Sequence, residues 1–255
     1  MRIVLILLFV FCSNMVLGQF WIGPKIGIQG YTTTFKFSEA RDDYKSYPRM
    51  GFTIGGAISA NLKPTFSITS EFQYSLKGKH TEIRENEWRN VATFHYLEGP
   101  IMLRYIFEEF YYQEVTFRPY IQGGPNFMYW LGGKGNIRNE ESSGVFYKIS
   151  FDEADTVNFS KMSIGGANRF MWGLELGGGV IVNVKQGQII LIDLRFHFGH
   201  TFFGDKDGAK YPMLGFSDNL EQHYRLLNLS ATYLFEVDLR KMRKGKSTIN
   251  KRKRR

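Results

Sequence analysis

Eight stretches of this chain alternate apolar and polar residues with a period of two, and each is long. Phe66-Ser67-Ile68-Thr69-Ser70-Glu71-Phe72-Gln73-Tyr74-Ser75-Leu76 shows the pattern, with mostly apolar even positions and polar odd ones. In Ile190-Leu191-Ile192-Asp193-Leu194-Arg195-Phe196-His197-Phe198 the even positions are uniformly apolar, while Asp193, Arg195 and His197 point the other way. A period of two sends alternate side chains to opposite faces of a strand. Charges on the enclosed face would be costly in the core of a sandwich but suit the polar interior of a membrane barrel. The pattern places strands at Phe20–Phe35, Pro48–Leu62, Phe66–Lys77, Ala92–Phe107, Thr116–Leu131, Phe170–Val184, Ile189–Phe203 and Gln222–Phe235. All exceed the ~9–11 residues that cross a bilayer at a tilt, and an even count suits a single-chain barrel. The expected fold is all-β: an eight-stranded, antiparallel, up-and-down transmembrane β-barrel.

The connections alternate in length. Asn61–Thr65 and Asn183–Gly187 are short turns, and Glu108–Val115 is only slightly longer. The long polar stretches are Lys36–Tyr47, Gly78–Val91, Gly132–Arg169 and Gly204–Glu221, the longest of which reads as a mobile external segment. Outer-membrane barrels keep short turns in the periplasm and long loops outside. With the N-terminus periplasmic, every connection falls on its expected side and both termini are periplasmic. The soluble alternative, a sandwich or lipocalin-like barrel, would turn its apolar face inward. Mean hydropathy is slightly negative, as expected where only alternate strand residues meet lipid.

Residues 1–18 read as a signal peptide. Arg2 precedes an apolar run from Ile3 to Phe11, and Val16 and Gly18 offer a cleavage site before Gln19. The single cysteine, Cys12, falls inside that peptide, so residues 19–235, the expected barrel, have no thiol. Residues 236–255 form a basic tail. It holds Arg240, Lys241, Arg243, Lys244, Lys246, Lys251, Arg252, Lys253, Arg254 and Arg255 against Glu236 and Asp238. The chain carries 33 Lys and Arg against 24 Asp and Glu, so the remaining 235 residues hold 23 basic and 22 acidic groups. The charge belongs to the tail. An export signal removes nucleic acid as its partner; what remains is a solvated charge run or an arm that docks acidic partners or anionic envelope groups.

Inward projection of the alternation gathers Lys25, Gln29, Glu71, Gln73, Glu98, Arg104, Arg118, Gln122, Glu175, Asp193, Arg195 and His197 in the lumen. An eight-stranded barrel has room only for side chains, so these groups should pair into a structural network; the functional alternative is a solute path. His197 and His200 are three apart and fall on opposite faces of a strand. The paired glycines lack the strand–loop–helix context of a phosphate cradle and instead relieve crowding within strands. No cofactor, metal or catalytic motif is recognisable. Trp21, Tyr31, Tyr105, Tyr129, Trp130, Trp172, Phe202 and Tyr233 lie near strand ends and read as interfacial girdles.

Tyr96-Leu97-Glu98-Gly99-Pro100-Ile101-Met102-Leu103-Arg104-Tyr105 and Arg118-Pro119-Tyr120-Ile121-Gln122-Gly123-Gly124-Pro125 resemble recurrent features of the outer-membrane β-barrel proteins of Bacteroidetes. Gly99 stands where members usually carry an aliphatic residue. The size, the aromatic-rich strands and the basic C-terminal extension resemble the PorT branch, accessory proteins of type IX secretion linked to gliding motility. That resemblance implies a non-enzymatic protein of the outer membrane, in contact with outer-membrane lipid and with secretion-system proteins in the periplasm or membrane. The alternatives are a generic small porin or adhesin-like barrel, and a lipid- or peptide-hydrolysing barrel using His197 or His200.

Overall fold

The computed structural model describes residues 19–84, 88–112, 115–139, 144–151, 161–206, 208–211 and 216–237. Residues 1–18, expected to be a signal peptide, and the tail cations Arg240–Arg255 lie outside these residues. In chain order the elements are β1 (Phe20–Phe35), α1 (Ser38–Asp43), β2 (Tyr44–Ser46), β3 (Arg49–Lys63), β4 (Phe66–Ile83), β5 (Arg89–Ile106), β6 (Phe110–Tyr112) and β7 (Val115–Arg138). There follow β8 (Val145–Ser150), β9 (Lys161–Ile164), β10 (Phe170–Lys185), β11 (Gln188–Gly199), β12 (Ala209–Tyr211), β13 (Phe216–Asp218) and β14 (Gln222–Val237).

Eight long strands pair in a closed antiparallel ring: β1, β3, β4, β5, β7, β10, β11 and β14, with β14 returning to β1. Closure leaves no unpaired edge, the condition a sheet must meet in hydrocarbon. Two of the turns are minimal. Pro64-Thr65 closes the Lys63–Phe66 pair, and Gln186-Gly187 closes the Lys185–Gln188 pair, with Gly187 at φ +76°. A positive φ favours glycine, which has no Cβ to clash.

The outward face is apolar around the ring. Ile26, Ile54, Phe72, Leu103, Ile121, Leu176, Leu194 and Leu229, on β1, β3, β4, β5, β7, β10, β11 and β14 in turn, are each about half exposed. In water this band would far exceed the few hundred Å² of apolar patch a soluble monomer shows. Lipid removes that penalty.

Four expectations are corrected. The long connections are partly strand: β4 runs on to Ile83, β5 begins at Arg89, and β7 continues to Arg138. The residues after β1 contain α1 and β2, those after β11 contain β12 and β13, and β11 itself stops at Gly199. Trp21, Tyr31 and Trp130 are not girdle residues but point inward and are buried. Finally, the enclosed face is not polar throughout. At the loop-side end it is aromatic, with Tyr31, Phe94, Tyr96, Trp130, Phe203 and Tyr224 in one cluster. Strands β8, β9, β12 and β13 continue the sheet from β7 and bring Tyr147, Met162, Tyr211 and Phe216 into the same cluster. A smaller apolar cluster at the turn-side end joins Trp21, Ile106, Ile181, Ile189, Leu191 and Leu234.

Candidate functional site

Between the two apolar layers lies the charged part of the lumen. Lys25, Lys77, Arg104 and Arg195 face Glu71, Glu98, Glu175 and Asp193, four cations to four carboxylates, all buried. Sequence places them there because each stands at an inward position of a strand whose outward neighbours are apolar.

Glu71 of β4 is the hub. Its Oε2 accepts from Lys25 Nζ at 2.6 Å and from Arg195 Nη1 at 3.0 Å, and its Oε1 accepts from Arg195 Nη2 at 2.7 Å. Arg195 also reaches Asp193 Oδ2 at 3.1 Å and Glu175 Oε2 at 3.6 Å. Bidentate guanidinium–carboxylate bonds of this kind fix orientation as well as charge. Toward the turns, Asp193 Oδ1 accepts from Tyr120 and, at 2.7 Å, from Gln122 Nε2. Arg104 donates to Gln122 Oε1 at 3.2 Å and lies 4.4 Å over the Tyr120 ring. Toward the loops, Asn126 Nδ2 bridges Glu98 Oε2 (2.8 Å) and Glu175 Oε1 (2.7 Å). Lys77 pairs with Glu98 Oε1 at 2.8 Å, Ser75 donates to the same oxygen, and the Lys77 ammonium sits about 5 Å from the rings of Tyr96 and Tyr224. Desolvation of so many ions is repaid only by such dense pairing.

Inward glycines on β10 make the network possible. Gly179 is in register with Tyr120 on one side and Asp193 on the other, and a Cβ there would lie 2.7 Å from the Tyr120 hydroxyl. Gly177 stands likewise between Gln122 and Arg195. Side chains of β7 thus reach β11 over a bare strand.

Nearer the loops, a second polar cluster latches the cap. Asp218 of β13 pairs with Lys79 of β4 and accepts from Asn90 Nδ2 at 2.5 Å, while Tyr147 donates to Asn90 Oδ1 at 2.6 Å. Burial pushes the Tyr147 hydroxyl up, and the Asp218 carboxylate adds to this, so Tyr147 stays a neutral donor.

Of the residues projected into the lumen, Glu71, Glu98, Arg104, Glu175, Asp193 and Arg195 are brought together as described, and His197 Nδ1 lies 3.5 Å from Glu175 Oε1. Lys25 and Gln122 join them, Gln29 donates to the Leu76 carbonyl, and Gln73 is buried. Arg118 does not join. It has the inward parity but stands at the turn-side mouth, half-buried, donating to Asn183 Oδ1 at 3.3 Å. His200 is exposed and packs 4.4 Å from the Trp172 ring. Sequence reading misses Lys77, Lys79, Ser75, Asn126, Tyr120 and Asp218. Among the described residues no group of three His, Cys, Asp or Glu is arranged to hold a metal.

A family model described as an outer membrane protein beta-barrel domain matches residues 13–201. The chain belongs to that family. Its place is therefore the bacterial outer membrane, and the apolar band faces outer-membrane lipid. No curated protein matches. Similar solved structures include the outer membrane protein OprG of Pseudomonas aeruginosa, 14% identical over 86% of this chain and 93% of that one, with a TM-score of 0.47. Neisserial surface protein A is 11% identical over 86% and 97%, with a TM-score of 0.41. Ail, the attachment invasion locus protein of Yersinia pestis, is 11% identical over 84% and 98%, with a TM-score of 0.37.

Proposed function

We propose that this protein is a non-enzymatic, non-conducting barrel that serves type IX secretion as a PorT-like accessory component, and that its basic tail is the docking element. The observation that supports this reading most is the lumen, in which a charge-balanced network is sandwiched between two apolar layers. A barrel filled in this way has no evident solute path, which leaves its ends and its tail to meet partners. The last strand ends at Val237, in register with Phe20 at the start of β1 and on the short-turn side, and the tail's ten cations follow it in sequence. With the turns in the periplasm, that end faces acidic partners there. The resemblance of the fourth- and fifth-strand motifs to Bacteroidetes barrels supplies the link to secretion.

Deletion of Lys241–Arg255 tests this. Export of secretion substrates should fall while the barrel still inserts and migrates as a folded species. Unchanged export with a folded barrel refutes the docking role. Affinity purification from native membranes should recover secretion components with the full chain and lose them with the truncated one.

A further inference from the structure

The outer wall of the barrel carries a groove of about 490 Å³ where β5, β7 and β8 run side by side, and Arg49 of β3 reaches into it. Val91, Thr93, Lys134, Asn136, Phe146 and Lys148 stand on positions whose neighbours in register point inward, so these side chains face away from the lumen. Thr93 is in register with Lys134, and Lys134 with Lys148, which sets the two lysines side by side on adjacent strands. On the other flank Thr93 is in register with Gly78 of β4, the strand between β5 and β3.

None of Arg49, Lys134 and Lys148 pairs with a carboxylate among the described residues. Arg49 Nη1 is buried with no hydrogen-bond partner there. The outward carboxylate of the same region, Glu82, is taken by Arg89 at 2.9 Å and by the Tyr47 hydroxyl at 3.1 Å. Three cations that no carboxylate among the described residues pairs give the groove charge complementarity to an anion. The walls between them are apolar: Val91 and Phe146, which is 77% exposed.

The groove also continues the lipid-facing band. On β7 the outward residues Phe127, Tyr129 and Leu131 are exposed to hydrocarbon, and Lys134 follows three positions later. On β3 the exposed Met50 and Phe52 stand one and three positions after Arg49. A site with apolar walls, cations at its rim and bilayer below it lies at headgroup depth.

We propose that this groove binds a membrane lipid with an anionic phosphate headgroup, its phosphate held by Arg49, Lys134 and Lys148 and its acyl chains lying down the apolar wall past Leu131. The lipid belongs to the leaflet on the long-loop side. The site depends on the barrel lying in a bilayer and not on any role in secretion.

The test uses the full mature chain in neutral detergent, titrated with dioleoylphosphatidylglycerol and dioleoylphosphatidylcholine and read by native mass spectrometry. The anionic lipid should bind about tenfold tighter, as expected for a few cations at a membrane surface. Combined Arg49→Gln, Lys134→Gln and Lys148→Gln should abolish that preference, whereas Lys134→Arg with Lys148→Arg should keep it. Heat-modifiable gel migration confirms that each variant is folded. Equal binding of the two lipids by the wild-type chain would overturn the proposal, as would a preference that survives in the triple Gln variant. So would displacement of the lipid by equimolar glycerol 3-phosphate, which would make the groove a headgroup site without acyl contacts.

Discussion

Arg195 grips Glu71 through both terminal guanidinium nitrogens, at 3.0 and 2.7 Å, from the opposite side of the barrel. The two are 124 residues apart in sequence, and β11 and β4 stand four strands apart in either direction around the ring of eight. The pair is thus a strut across the lumen. Removing one partner leaves the other charge buried with only its remaining partners, Lys25 for Glu71 or Asp193 and Glu175 for Arg195, at a cost of up to about 3–5 kcal/mol. Arg195→Met or Glu71→Gln alone should therefore lower the denaturant midpoint of the detergent-folded barrel strongly. Arg195→Met with Glu71→Leu should cost clearly less than the two singles added together, because the pair leaves as a unit, although Lys25 and Asp193 each lose a partner. If the double variant loses as much as the two singles together, the strut is not a coupled unit.

The bare stretch of β10 gives a second prediction. Gly179→Val places methyl groups where the Tyr120 hydroxyl and the Ile192 carbonyl now lie, since even a Cβ there meets them at 2.7 and 2.1 Å. It should cost about 1–3 kcal/mol by overpacking, more than Tyr120→Phe, which removes only the bond to Asp193. Gly30→Ala, whose Cβ meets only Met50 Sδ at 3.7 Å on the outer wall, should be close to neutral. Equal costs at Gly179 and Gly30, measured by thermal unfolding, would contradict this.

Much of the fold is written in the period of two. β1 spans Phe20–Phe35 as the alternation reads it, and the parity that buries Glu71 and Asp193 is visible without coordinates. Parity gives the face but not the depth, so Arg118 is read as a lumen partner although it sits at the mouth. Parity followed too short a distance also costs residues. Ser75, Lys77, Lys79 and Thr81 keep the polar alternation of β4 straight through Gly78, which looks like the start of a loop. In β7 the signal itself breaks. A register shift opposite His95 and Tyr96 moves the pairing from Trp130 to Gly132, after which the inward positions change from even to odd. Gly132, at φ +153°, occupies the shift, and no sequence period crosses a bulge unbroken. Tyr31 and Trp130 show a different limit. Composition near a strand end suggests a girdle, while their parity with Lys25 and Asn126 places them inside.

The Asp218–Lys79 pair holds the cap strands to the barrel wall, and Asn90 ties that pair to Tyr147. Asp218→Asn removes the counter-ion of a buried lysine and should loosen β12 and β13 without opening the ring. Hydrogen exchange at Ala209–Tyr211 should rise by about tenfold or more, the scale of a ~1.4 kcal/mol loss in local stability, while exchange in β1 and β14 stays unchanged. Faster exchange throughout would mean that the cap and the ring unfold as one unit.

The filled lumen makes a prediction about conductance. The charged layer alone would still admit water if the aromatic layer were absent, because its groups are polar and ordered water can bridge them. Trp130 and Phe203 are fully buried at the loop-side end and belong to the cluster that also buries Tyr96 and Tyr224. The wild-type barrel should give no stable single-channel steps in planar bilayers. Trp130→Ala with Phe203→Ala removes two of the large rings above the ion network, and Glu71→Ala with Arg195→Ala removes the strut below. Neither pair should conduct by itself, since the other of these two layers and the turn-side cluster around Trp21, Ile106 and Leu234 remain in each case. The quadruple variant still keeps the turn-side cluster, so small steps should appear only when Trp21→Ala is added to it, provided that variant still folds by heat-modifiable migration. Large, regular steps from the wild-type protein would mean that these layers do not close the lumen, and the reading of this barrel as non-conducting would fail with them.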